Sequence, residues 1–214
     1  MYHPSLHMAK ASENNMKKEW GITITYAFLF LGAGMAVYLG LWFMPSKISE
    51  QGVNLWNELA LPNEAKEVFT TSFEVFKKPW NMVGWINVAV IILGFVLYYF
   101  DKIKIDKLSK LQKKLYINII QLLVLVSLLS IYPGYRLGPE MVEVGNRVFS
   151  KTLSKNFPIQ IKIVSQYTSC FKNQWLYILP SEIILLSTTI VILLRFKRIS
   201  RKIASGVGCK NEET

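Results

Sequence analysis

Charge, cysteine and histidine are scarce in this sequence, and each scarcity removes a class of function. Only 18% of the residues are charged while 51% are apolar, which excludes a disordered chain and is too apolar for an ordinary soluble domain. The two cysteines, Cys170 and Cys209, form no Cys-x-x-Cys motif, so a membrane thiol oxidoreductase is not expected. Both histidines, His3 and His7, precede the first apolar block, and bis-His haem ligation within the membrane has no ligands. Their i, i+4 spacing suits a metal on a helix, but Pro4 and the small polar neighbours lead us to expect an unordered arm and no metal. There is no Gly-rich phosphate loop, no paired carboxylates in a span, no His-Glu-x-x-His and no Ser or Cys nucleophile with an available His. The expectation is a protein that is not an enzyme and holds no cofactor. No internal repeat supports an inverted-repeat transporter. No Asn-x-Ser/Thr sequon is present, which is compatible with a bacterial source.

What the chain does have is four long apolar blocks, at 20–44, 79–100, 115–135 and 173–194. Each can cross a hydrocarbon core of about 30 Å, which takes about 20 helical residues. Runs such as Ile91-Ile92-Leu93 and Leu122-Leu123-Val124-Leu125-Val126 do not alternate, so strands of a closed barrel are excluded. The expected fold is all-α, a polytopic integral membrane protein with four transmembrane helices.

The net charge of +11 sits between the blocks rather than among them, unlike that of a basic nucleic-acid binder. The N-terminal arm 1–19, the middle loop 101–114 and the tail 195–214 hold fifteen of the basic residues, against ten in the longer connections 45–78 and 136–172. By the positive-inside rule the arm, middle loop and tail are cytoplasmic and the two long connections face outward. This orientation puts Cys170 and Cys209 on opposite sides. The first block is too long and ends without small residues, so we expect an uncleaved anchor rather than a signal peptide. Met8 and Met16 are alternative starts to Met1; Met16 precedes Lys17-Lys18.

In the first outer connection Ala65, Val68, Phe69, Phe73 and Phe76 recur at helical spacing, predicting an amphipathic helix with Asn63 as N-cap and Lys77-Lys78 at its end. In the second, Pro133-Gly134-Tyr135-Arg136-Leu137-Gly138-Pro139 reads as a turn-rich exit from the third span. After it, 140–155 reads as helix and 158–167 as β-prone. This loop is basic and partly apolar, suited to anionic headgroups or an acidic partner.

Polar residues inside the spans are the candidate sites. Glu182 is the one acid within a block, and it is expected either to pair with Arg136 or to act as a protonatable group. Asn118 and Gln121 share a face of the third span and Asn87 lies on the second, where amides can hydrogen-bond between helices. Gly32, Ala36 and Gly40 form a small-residue ridge on the first span, where helix backbones can approach closely.

In span layout from Trp20 to Arg201 the chain resembles the inner-membrane immunity proteins that protect bacteria from pore-forming colicins. The resemblance is one of architecture, four spans with both termini cytoplasmic, and transfers no residues. It implies binding of an incoming membrane-active protein at the bacterial inner membrane. Entry-exclusion proteins of conjugative elements fit the same layout. The alternatives are a structural subunit of a membrane secretion or transfer assembly and, third, a small transporter. The expected partners are lipids and a protein in or at the membrane, with no nucleic acid.

Overall fold

The computed structural model describes residues 4–59, 66–103, 108–153, 158–169 and 171–204. All regular structure there is helical: α1 Pro4–Val37, α2 Met44–Leu59, α3 Lys66–Lys102, α4 Lys110–Tyr132, α5 Gly138–Leu153, α6 Pro158–Ser169, the short α7 Phe171–Gln174 and α8 Leu179–Ala204. Four stretches are long and apolar enough to cross a membrane: Glu19–Leu59, Phe69–Lys102, Leu111–Arg147 and Trp175–Arg198. The chain is an integral membrane protein of all-α class.

Around the bundle, α1 packs against α3 and α8, and α4 packs against the same two. One end carries Lys102, Lys113, Lys114, Arg195, Lys197 and Arg198 and is called the basic end. The other, the distal end, continues into a helical head of α2, the start of α3, α5 and α6. Two apolar cores follow the same division. Leu29, Val90, Leu97, Ile120, Leu123 and Leu185 fill the bundle toward the basic end. Met44, Ile48, Leu55, Phe73, Trp80 and Val142 join the distal bundle to the head. There the Trp80 and Trp175 rings stack with centroids 3.9 Å apart.

The two long connections are therefore helical where described, as expected over the phenylalanine stripe and from 140 onward but not over 45–59 or 158–169, and no helix ends at 44/45 or 78/79. Three of the prolines are accommodated by a change of winding, while Pro79 lies inside the unbroken helix α3. Pro45 follows a π-helical turn, Tyr38–Phe43; Pro133 opens another, Pro133–Leu137; and Pro180 follows a 3-10 turn, Trp175–Ile178. Proline lacks an N–H and its ring collides with the carbonyl four residues back, and a wider or tighter turn relieves that conflict without ending the helix. The third span accordingly runs into α5 through the expected turn.

The β-prone stretch is also helical, as α6. Its alternating isoleucines have no neighbouring strand among the described residues, whereas Ile161, Val164 and Thr168 recur at helical spacing and are wholly or partly buried. Packing against α5 overrides local strand propensity. The phenylalanine stripe lies on α3, with Phe69, Phe73 and Phe76 buried and Glu67, Thr70 and Glu74 exposed, and that helix continues straight into the second span. α1 is already helical from Pro4, in contrast to the unordered arm expected. Asn63, Ala65, His3, Cys170 and Cys209 lie outside the described residues.

Candidate functional site

The α8 helix starts one residue before Pro180, a position that needs no N–H partner, and this carries Glu182 into the bundle within the first turn. Glu182 is 3% exposed. Its Oε2 is 2.8 Å from Ser130 Oγ on α4, and Ser130 Oγ is also 2.8 Å from the Ser127 carbonyl one turn earlier. Ser127 Oγ in turn meets Thr189 Oγ1 at 3.3 Å, and Thr189 donates to the Leu185 carbonyl. A run of oxygens thus links α4 to α8 in the bundle interior. Glu182 Oε1 has no hydrogen-bond partner.

Arg136, expected opposite Glu182, is elsewhere. It is 71% exposed and its Nε lies 2.9 Å from Glu140 Oε1 on the next turn of its own helix. The reason is continuity of the helix: with Pro133–Leu137 wound into a π-turn rather than a reversing loop, Arg136 stays on the outer surface and finds the i, i+4 carboxylate.

A second carboxyl site lies at the basic end and was not singled out from the sequence. Tyr26 Oη on α1 donates to Asp101 Oδ2 at 2.9 Å, and Tyr116 Oη on α4 donates to Asp101 Oδ1 at 2.5 Å. Asp101 therefore fastens three helices. Arg195 of α8 lies close enough to act electrostatically on both phenols, and its buried Nη1 has no hydrogen-bond partner. Read as the first residue of a cytoplasmic loop, Asp101 carried no signal. The available hint was two tyrosines near the same ends of neighbouring spans.

Asn87 is fully buried, with Nδ2 donating to the Val83 carbonyl at 3.0 Å and Oδ1 unpartnered. It meets its own helix rather than a neighbour. Asn118 and Gln121 do share a face of α4, as their spacing requires, but that face points away from the other helices and both are exposed. They do not glue this bundle. Leu111, Leu115, Leu122, Leu125, Leu129 and Tyr132 are exposed with them, and with Asn118 these positions alternate steps of four and three along the helix. That is the spacing of a coiled-coil seam with one polar member.

On the first span, a Cβ on Gly32 would stand 3.1 Å from the Ser181 carbonyl and the Leu185 amide of α8. A Cβ on Gly40 would stand 2.6 Å from the Gly84 amide and the Trp80 carbonyl of α3. Ala36 between them is fully buried. The three small residues thus serve two neighbours rather than one.

Among the described residues, no three His, Cys, Asp or Glu side chains come together as metal ligands would. A groove between α5 and α6, lined by Asn146, Arg147, Ser150, Ile161, Val164 and Ser165, is shallow and lies in the head. No protein family, curated protein or solved structure matches the chain in comparison.

Proposed function

We propose that this chain is a non-enzymatic membrane protein that binds and blocks an incoming membrane-active protein, in the manner of bacteriocin immunity or conjugative entry exclusion. The observation that carries the reading is the outward face of α4, where Asn118 and Gln121 lie exposed among leucines on a helix long and apolar enough to cross a membrane. An amide facing hydrocarbon has no water to bond, so it favours a partner helix that supplies a donor and an acceptor. The leucines on either side supply packing surface for such a helix. In the proposed setting the basic end faces the cytoplasm of a bacterial inner membrane, with both termini inside, and the head faces outward to meet what arrives.

The test is protection by the chain expressed alone in a cell sensitive to a pore-forming toxin or to a conjugating donor. Wild type should protect. Asn118→Leu combined with Gln121→Leu should reach the same level in the membrane and lose protection. Full protection by that variant would defeat the reading. Orientation is tested separately by an impermeant thiol reagent on chains in which Cys170 and Cys209 are replaced: a cysteine at Asn54 in the head should label from outside, and one at Ser109 should not. The second reading, a structural subunit of a transfer or secretion assembly, is favoured by the same unpartnered face. It predicts a chain that is inert or degraded when expressed alone.

A further inference from the structure

Hydrogen atoms can be counted at the Glu182 site without reference to any titration. Ser130 Oγ has two oxygen neighbours at 2.8 Å, Glu182 Oε2 and the Ser127 carbonyl oxygen. A hydroxyl carries one hydrogen, a carbonyl oxygen carries none and a carboxylate carries none. With Glu182 ionised, the one hydrogen of Ser130 would be shared between two acceptors, as that of Thr188 is between the Ile184 and Leu185 carbonyls. With one proton on Glu182 the count closes: Oε2–H donates to Ser130 Oγ, and Ser130 donates to the Ser127 carbonyl.

Nothing else described at the site supplies the missing hydrogen or a balancing charge. From α1, Gly32 lies against the Ser181 carbonyl and the Leu185 amide and has no side chain to offer. From α4 the facing residues are the two serines. Tyr135, on the π-helical turn after α4, is the titratable group within electrostatic reach, and it is 44% exposed. Arg136 is held by Glu140 on the outer surface. On α8 itself the nearest charged residue is Arg195, about 20 Å along the helix at 1.5 Å per residue. A bare carboxylate buried among apolar residues is costly, and a neutral acid with its hydroxyl bonded much less so.

We infer that Glu182 is a proton-binding site, resident in the bundle as a neutral carboxylic acid that donates to Ser130 and couples α4 to α8 through that hydrogen. Binding is a simple proton association, with no bond broken and no electron moved. The buried, unpartnered Oε1 is the carbonyl oxygen of this acid, an acceptor that no described donor uses. The inference does not depend on which partner the α4 face meets.

Infrared spectroscopy of the full chain in phosphatidylethanolamine–phosphatidylglycerol vesicles at neutral pH tests this. A carboxylic acid C=O band should be present, should disappear in Glu182→Gln, and should move to higher frequency in Ser130→Ala as the acid loses its acceptor. The Ser130→Ala shift stands by itself if Glu182→Gln fails to fold, because the acid is retained. Identical carboxylic acid regions in wild type and both variants, with carboxylate bands lost in Glu182→Gln, would overturn the inference. So would loss of the band on adding sodium at constant pH, which would assign the site to a metal cation.

Discussion

Asp101 and Glu182 are both carboxyl groups clasped by hydroxyls between helices, yet hydrogens are supplied to them differently. Asp101 receives a separate donor on each oxygen, from two other helices. Glu182 meets a single hydroxyl whose hydrogen has a second claimant, the Ser127 carbonyl. The first gives each carboxyl oxygen a hydroxyl donor of its own; the second gives each contact its own hydrogen once a proton is added. The difference lies in how many donors the neighbouring helices present, not in burial alone.

Substitutions centred on four positions, Gly40, Asp101, Glu182 and Arg136, would break or sharpen this contrast. The largest effect belongs to Gly40→Leu, which sets the scale for a contact that neither carboxyl can compensate. A side chain there collides with the α3 backbone at 2.6 Å, and chains competent to fold should all but vanish from mild-detergent extracts on size-exclusion chromatography. Normal recovery would mean that α1 and α3 can part at the distal end at little cost.

Next comes Asp101→Ala, which strands two phenol hydroxyls. At about 1–3 kcal/mol for each buried donor left without an acceptor, thermal unfolding followed by tryptophan fluorescence should shift down clearly. Removing both donors as well, with Tyr26→Phe and Tyr116→Phe, should recover part of the loss. If Asp101→Ala unfolds like wild type, the brace is not a brace.

Glu182→Gln is expected to be mild, within about 1 kcal/mol of wild type, because an amide N–H can donate to Ser130 as the acid O–H does. Glu182→Ala, which leaves a cavity as well as an idle serine, should cost more in the same melt. A Gln variant as damaged as the Ala variant would argue that the carboxyl, not its hydrogen, holds α4 to α8.

The smallest effect is that of Arg136→Ala. An exposed i, i+4 pair contributes about 0.3–0.5 kcal/mol, and a double-mutant cycle between Arg136 and Glu182 should return no coupling beyond error. Coupling of about 1 kcal/mol or more would place the guanidinium back against Glu182.

How much of the candidate site can be read in advance depends on whether the property is local. Glu182 stands out because an acid in an apolar block is expensive wherever the helix turns. Its partner does not, because Ser130 is one of several serines and threonines in the spans and only the pairing of α4 with α8 selects it. Asp101 is hidden by the opposite circumstance: it ends a span and begins a lysine-rich segment, so its charge needs no explanation until Tyr26 and Tyr116 are brought to it. For Asn118 and Gln121 the spacing puts them on one face, but α4 is apolar on every side, and hydropathy then carries no information about which face turns inward.

By itself the sequence determines that the chain crosses a membrane as four helices, since length and apolarity of a segment decide that against lipid whatever its neighbours are. It does not determine what each proline does, since Pro45, Pro133 and Pro180 sit at changes of winding while Pro79 lies inside the unbroken helix α3. Tertiary structure alone decides that the connecting segment 45–59 stays helical, where a shared apolar core rewards continuing through the proline rather than stopping at it. It alone decides which way α4 is rotated and how many hydrogens reach each carboxyl, because those depend on atoms 15 to 75 residues apart in the chain, and no local pattern encodes their meeting.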